Sequence, residues 1–133
     1  MDDRFFLCDT HILLWSLFLP SRLKKTHRLI IQDPTLAIYA SAVSLWEIAI
    51  KYRLGKLDLD IAPEKILDAL QHTGFTFLAL EPKTILSSHH LPTTKHKDPF
   101  DRMLTWQSIQ MQIPLISVDR RLIEYQKFGL DLR

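Results

Sequence analysis

The stretch Phe5-Phe6-Leu7-Cys8-Asp9-Thr10-His11-Ile12-Leu13-Leu14-Trp15-Ser16-Leu17-Phe18 reads as a short buried strand over residues 5–8, an acid, and then a helix over residues 10–18 that stops before Pro20. Outward from it the same alternation continues. Ser21 is expected to cap a second helix with Leu23, Leu29, Ile30 and Ile31 on its apolar side, and Asp33-Pro34 turns the chain into a strand over residues 36–39. Residues 42–54 form the clearest helix. Leu45, Ile48, Ala49 and Tyr52 recur at helical spacing, basic residues fill its last turn, and Gly55 follows as a natural C-cap. Pro63 opens another helix ending near His72, residues 75–80 are dense in β-formers, and a short helix starts near Pro82. Residues 91–97 are polar, contain Pro92 and are expected to loop, after which Asp98-Pro99 opens a helix over residues 100–111. A strand over 114–118, a short helix over 120–126 and an edge strand over 130–132 complete the pattern. Strands alternating with helices imply an α/β fold, a central parallel sheet flanked by helices on both faces with right-handed crossovers.

With 133 residues, 47% of them hydrophobic, the chain suits one domain, residues 1–133, and shows no repeat or flexible linker. The longest nearly apolar run, residues 12–19, falls well short of the ~20 that a membrane span needs, and Met1-Asp2-Asp3-Arg4 lacks the basic start of a secretory signal, so a cytoplasmic location and no membrane partner are expected. Cys8 is the only cysteine, which excludes an internal disulfide and any cysteine-built zinc site from this chain alone. A net charge of +2 and a pI near 8.8 permit an RNA partner without specifying one. Basic residues cluster at Lys51, Arg53 and Lys56, at Lys95, His96, Lys97 and Arg102, and at Arg120 and Arg121.

The acids carry more information. Asp9 ends the first strand, Asp119 follows the strand over 114–118, Asp98 and Asp101 open a helix, and Glu47 lies about a turn inside the helix after the strand over 36–39. In an open parallel sheet the carboxyl ends of the strands share one edge, with a crevice where strand order reverses, so acids remote in sequence can meet there. Each also fits an ordinary capping role: Asp9, Asp98 and Asp119 as N-caps, and Ser44-Leu45-Trp46-Glu47 as a capping box if its helix starts at Ser44. Against separate caps stands their joint placement, because like charges meeting at one edge repel unless cations lie between them. Oxygen ligands of this kind favour Mg²⁺ or Mn²⁺.

Four segments resemble the PIN-domain ribonucleases and, within them, the VapC-type toxins of toxin–antitoxin pairs. They are Leu7-Cys8-Asp9-Thr10-His11-Ile12-Leu13-Leu14-Trp15, Ser41-Ala42-Val43-Ser44-Leu45-Trp46-Glu47-Ile48-Ala49-Ile50-Lys51, His96-Lys97-Asp98-Pro99-Phe100-Asp101-Arg102-Met103-Leu104 and Pro114-Leu115-Ile116-Ser117-Val118-Asp119. The resemblance implies a PIN-like fold and an Mg²⁺-dependent ribonuclease, with Mn²⁺ able to substitute. Its metal ligands are Asp9, Glu47, Asp101 and Asp119, with Asp98 an auxiliary acid. Asp9 and Asp101, assisted by Glu47, are expected to hold one ion, and Asp119 to help bind a second or orient water. Thr10 and Ser117 are placed to orient carboxylates, and Lys51, Lys97, Arg102 and Arg120 to hold RNA phosphates. The resemblance further implies products with a 5′-phosphate and a 3′-hydroxyl, a homodimer, and a cognate antitoxin that blocks the acidic crevice. Thr105 and Trp106 stand where this subgroup tends to carry small residues, and the closing segment is short; neither departure touches the acids.

Three other readings are weighed. A phospho-receiver domain places its acidic pair directly after the first strand, whereas Asp2 and Asp3 precede it. A 5′-nuclease of structured DNA needs helical regions absent here. A catalytically silent PIN-like module that only binds a partner is opposed by the retention of all four acids. The histidines match no usual zinc spacing, and His89, His90 and His96 are expected to be loop or surface residues. Trp15, Trp46 and Trp106, in helices with apolar neighbours, are expected to pack in the core or an interface rather than stack on bases.

Overall fold

A computed structural model describes residues 3–133; Met1 and Asp2, part of the stretch read above against a secretory signal, lie outside the described residues. Four parallel strands, β1 (Phe5–Cys8), β2 (Ala37–Ser41), β3 (Phe75–Leu78) and β4 (Leu115–Ile116), form a sheet in the order β3-β2-β1-β4. Strand order therefore grows outward from β1 on one side and jumps to β4 on the other, which makes the carboxyl ends of β1 and β4 the switch point where a crevice opens.

Helices cover both faces, as the alternation along each strand requires. Phe6 and Cys8 of β1, Ile38 and Ala40 of β2 and Ile116 of β4 point to one face, where they pack with Ile12, Leu13 and Leu14 of α1 (Thr10–Phe18), Ile48 of α3 (Ala42–Arg53) and Ile66 and Leu70 of α4 (Ile66–Thr73). Leu7 and Leu115 point to the other, against Val43 of α3, Leu104 and Trp106 of α6 (Pro99–Met111), and Leu122 and Tyr125 of a 3₁₀ segment, Arg120–Phe128. Two further helices, α2 (Lys25–Gln32) and α5 (Pro82–Ser87), complete the α set among the described residues. None of the described helices is long and apolar enough to cross a membrane.

Several expected boundaries shift for identifiable reasons. Pro20 starts a 3₁₀ turn, Pro20–Arg22, that absorbs Ser21, so α2 begins at Lys25 without a side-chain cap and Leu29 is left exposed. Pro63 opens a 3₁₀ turn, Pro63–Lys65, ahead of α4, whose C-cap Gly74 takes φ +109°, a left-handed conformation that glycine adopts freely. The expected strand over 114–118 is reduced to Leu115–Ile116. The expected edge strand over 130–132 is a single parallel bridge, Leu115 to Leu132, reinforced by hydrogen bonds from Leu115 N–H to Asp131 O and from Arg133 N–H to Leu115 O. The helix expected over 120–126 is 3₁₀ throughout. Finally, α3 starts at Ala42 with Ser41 as its N-cap, which displaces the Ser44 capping box and frees Glu47 for other partners.

Candidate active site

The crevice at the switch point is a cleft of about 300 Å³ lined by Asp9, Thr10, His11, Trp15, Glu47, Lys51, Asp98, Asp101, Val118, Asp119 and Arg121. Five carboxylates from four separate parts of the chain thus face two formally cationic side chains, Lys51 and Arg121. A larger cleft of about 540 Å³ lies elsewhere, but its one carboxylate, Asp33, already accepts hydrogen bonds from the Thr35 backbone and hydroxyl. Convergence of charge, rather than size, marks the functional candidate.

Asp9 follows β1 directly and continues its ladder, its N–H donating to Ile116 O at 3.0 Å. It is 6% exposed; Oδ1 accepts from the Ile12 N–H at 3.0 Å, as an N-cap of α1, and Oδ2 accepts a short hydrogen bond from the Ser117 hydroxyl. Burial pushes its carboxyl up to about 6, against the opposing pull of Ser117, the Ile12 N–H and His11, and the charge of Asp101 adds to the rise. The hydroxyl of Ser117 also accepts from the Asp119 N–H at 3.0 Å, so a single side chain couples the ends of β1 and β4.

Glu47, 3% exposed, is held from two sides. Thr10 Oγ1 lies 2.5 Å from Glu47 Oε1 and 3.0 Å from Ser44 Oγ; with one proton to give, Thr10 donates to the carboxylate and accepts from Ser44. Lys51, one turn along α3, forms a short ion pair with Glu47 Oε2. Burial lowers the affinity of the Lys51 amine for its proton, but Glu47, Asp98 and Asp101 outweigh it and the pKa is raised.

Asp98 caps α6 by accepting from the Asp101 N–H at 3.0 Å and still lines the cleft, so a capping role and a place in the acidic cluster coexist in one residue. Asp101 is raised by burial first, then by the charge of Asp98. Its Oδ2 lies 2.8 Å from Nε2 of His96, whose ring is only 3% exposed and stands 4.0 Å from Asp119 Oδ2. Ligand atoms of His96, Asp101 and Asp119 all lie within 4.8 Å of one another, a spacing compatible with one shared cation. Asp119 is lowered, first by the hydrogen bonds of the Arg121 guanidinium, which meets it at 2.9 Å and 3.1 Å.

One expectation therefore needs correction. His96 is a buried partner of Asp101 rather than a surface histidine; its place five residues before that acid was the available signal, but only the folded loop brings the ring back. The tryptophans divide: Trp106 is buried and donates its indole N–H to Ser87, Trp15 packs partly buried against the core while also lining the cleft, and Trp46 is 63% exposed in a T-shaped pair with Phe100. Among the basic residues expected near phosphates, Lys51 reaches the cleft, Lys97 and Arg120 are exposed and do not line it, and Arg102 spends its guanidinium on Leu91 O, Pro92 O and Tyr125 Oη. Arg121, not singled out from the sequence, is the arginine that lines the cleft.

The donor set suits a hard divalent cation. Two of the carboxylates, Asp9 and Asp101, are held above their ordinary values by burial first and by neighbouring acids second, and oxygen ligands predominate.

The match to a family model extends from residue 6 to residue 127 and is described as "PIN domain"; the chain belongs to the PIN domain family. No curated protein matches it in sequence. Among solved structures it is similar to a chain of VapBC2 from Rickettsia felis bound to a DNA fragment from their promoter, at 15% identity and a TM-score of 0.68, with 97% of each chain covered. At that identity the likeness establishes the shared fold.

Proposed function

We propose that this protein is a metal-dependent ribonuclease, the toxin of a type II toxin–antitoxin pair. The observation that carries the reading is the meeting of Asp9, Glu47, Asp98, Asp101 and Asp119 in one cleft at the switch point of the sheet. A phosphodiester is negatively charged, and five carboxylates against two cationic side chains repel it; a divalent cation held among them would offset most of that excess and give the phosphate a positive centre to meet.

Asp9, Asp101 and Asp119, with Glu47 behind them, would hold Mg²⁺ or Mn²⁺, and His96 keeps Asp101 turned toward Asp119. The ion when bound supplies Lewis acidity, making water nucleophilic near neutral pH and neutralising charge that gathers on phosphorus. Ser117 fixes Asp9, Thr10 fixes Glu47 and Arg121 fixes Asp119, so the carboxylates are oriented before substrate arrives. Lys51 pairs with Glu47 and lines the cleft, where it would be placed to meet a substrate phosphate if a bound cation shared the charge of Glu47.

The similar Rickettsia structure is a VapBC2 assembly. By analogy, an antitoxin that covers the acidic cleft and a homodimer are part of the proposal.

The test is cleavage of assorted RNAs in Mg²⁺, Mn²⁺ or EDTA, with Asp101→Ala and Asp9→Asn beside the wild type. Cleavage that needs both metal and the two acids is expected; cleavage indifferent to them, or none with any RNA, ends the ribonuclease reading, the latter in favour of a silent binding module.

A further inference from the structure

We propose that His11, Trp15 and Arg22 form a nucleobase subsite on the wall of the acidic cleft, stacking a base of the RNA strand beside the bond to be cut. The inference rests on the ribonuclease reading and adds to it where the substrate's base, rather than its phosphate, is held.

Helix α1 divides its faces sharply. Ile12, Leu13 and Leu14 are buried in the core, at 0%, 0% and 9% exposure, while His11 and Trp15, one turn apart, line the cleft with the carboxylates. Their rings lie 5.9 Å apart at 49°, and the Arg22 guanidinium sits 5.9 Å from the centre of the Trp15 ring. Arg22 is exposed and, among the described residues, makes no ion pair that would explain its position. A helix rises ~1.5 Å per residue, which places Trp15 about 9 Å along α1 from Asp9. That is within reach of a nucleotide whose phosphate lies at the acids.

The chemistry of the two walls is complementary to a single strand. The carboxylate side takes cation and phosphate, whereas the α1 side offers π surface and a guanidinium, the combination by which proteins grip unpaired bases. Trp46 is more exposed than Trp15 but pairs T-shaped with Phe100 outside the cleft, and Trp106 is buried. Trp15 is thus the one tryptophan that a strand crossing the acids would meet.

The full-length chain would be assayed with Mg²⁺ on an RNA oligonucleotide that it cuts, and on versions with one abasic ribose at each position flanking the cleaved bond. Relative to wild type, Trp15→Ala should lose about 10- to 100-fold in kcat/KM on the base-bearing RNA. Exposed His11→Ala and Arg22→Ala should lose less, and Trp15→Phe, which keeps a ring to stack on, should recover most of what Trp15→Ala loses. On the oligonucleotide that is abasic at the stacked position, wild type and variants should converge. Because Trp15 also packs against the core, melting temperatures accompany each variant, and His11→Ala and Arg22→Ala carry the test if Trp15→Ala unfolds. Unchanged cleavage of base-bearing RNA by all variants would overturn the proposal, as would losses that persist on every abasic substrate. Intact RNA cleavage with weakened binding of a partner protein would also overturn it, assigning this wall to a protein contact. A wild type that cuts no RNA is a different failure, that of the ribonuclease reading itself.

Discussion

The hydroxyl of Ser117 donates to Oδ2 of Asp9, 108 positions away in the chain, while accepting from the backbone of Asp119. One side chain thereby sets the orientation of an acid just after β1 and the backbone of an acid beyond β4. Ser117→Ala removes a bond that favours the ionised form of Asp9, so its pKa should climb further above about 6. The acidic limb of the cleavage–pH profile should move to higher pH, and stability should fall by about 1–2 kcal/mol. A profile that superimposes on wild type would show that Ser117 does not tune Asp9.

His96 should matter through Asp101. His96→Ala leaves that carboxylate without its 2.8 Å partner and is expected to lower metal affinity and cleavage by about 10- to 100-fold, the range typical of groups that orient metal ligands. His96→Gln, which retains an N–H donor, should recover part of the loss. Magnesium titrations of both variants separate this from a folding defect; equal losses in Ala and Gln would argue against hydrogen-bond positioning.

Without metal, Asp9 makes the fold sensitive to pH. An acid held above its ordinary value favours the protonated folded state, so its contribution is intact below about 3.8 and lost as pH rises through about 6. At neutral pH the loss is about 3 kcal/mol. In EDTA, wild type should therefore fall progressively below Asp9→Asn in melting temperature between pH 4 and pH 7, and Mg²⁺ should close the gap. A gap that does not change with pH would contradict the buried, uncompensated carboxylate.

Lys51 opposes the cation that Glu47 attracts. Lys51→Met should strengthen Mg²⁺ binding a few-fold by removing a competing charge, while raising KM for RNA by losing a phosphate contact. Calorimetric metal titration and steady-state kinetics read the two effects separately. If both move in the same direction, the competition does not exist.

Much of this was legible in the sequence because it is local. β1, α1 and α3 follow from apolar runs and from breakers at Pro20 and Gly55, and Asp9, Asp98 and Asp119 announce themselves at element boundaries, with Glu47 a turn or so inside α3. What stayed hidden depends on distant parts of the chain. His96 turns inward because its loop is tied down: Thr94 Oγ1 donates to Tyr125 Oη, Tyr125 Oη donates to His96 O, and Arg102 donates to Leu91 O and Pro92 O. Arg121 rather than Arg120 reaches the cleft because Asp119 holds it, accepting from both its backbone N–H and its guanidinium, a contact that exists only once the segment after Asp119 has turned. Trp15 and Trp46 sit among apolar neighbours in sequence, and only the packing of α1 and α3 decides which face each helix turns outward.

The order of the strands also has a consequence during biosynthesis. Asp9 is made early and Ser117 and Asp119 late, and they become neighbours only when β4 docks against β1. Long-range pairing of this kind forms late in folding. A ribosome-bound chain lacking β4 carries Asp9, Glu47, Asp98 and Asp101 but neither Ser117 nor Asp119, so whatever chemistry the cleft performs is withheld from the nascent polypeptide and begins with the finished fold.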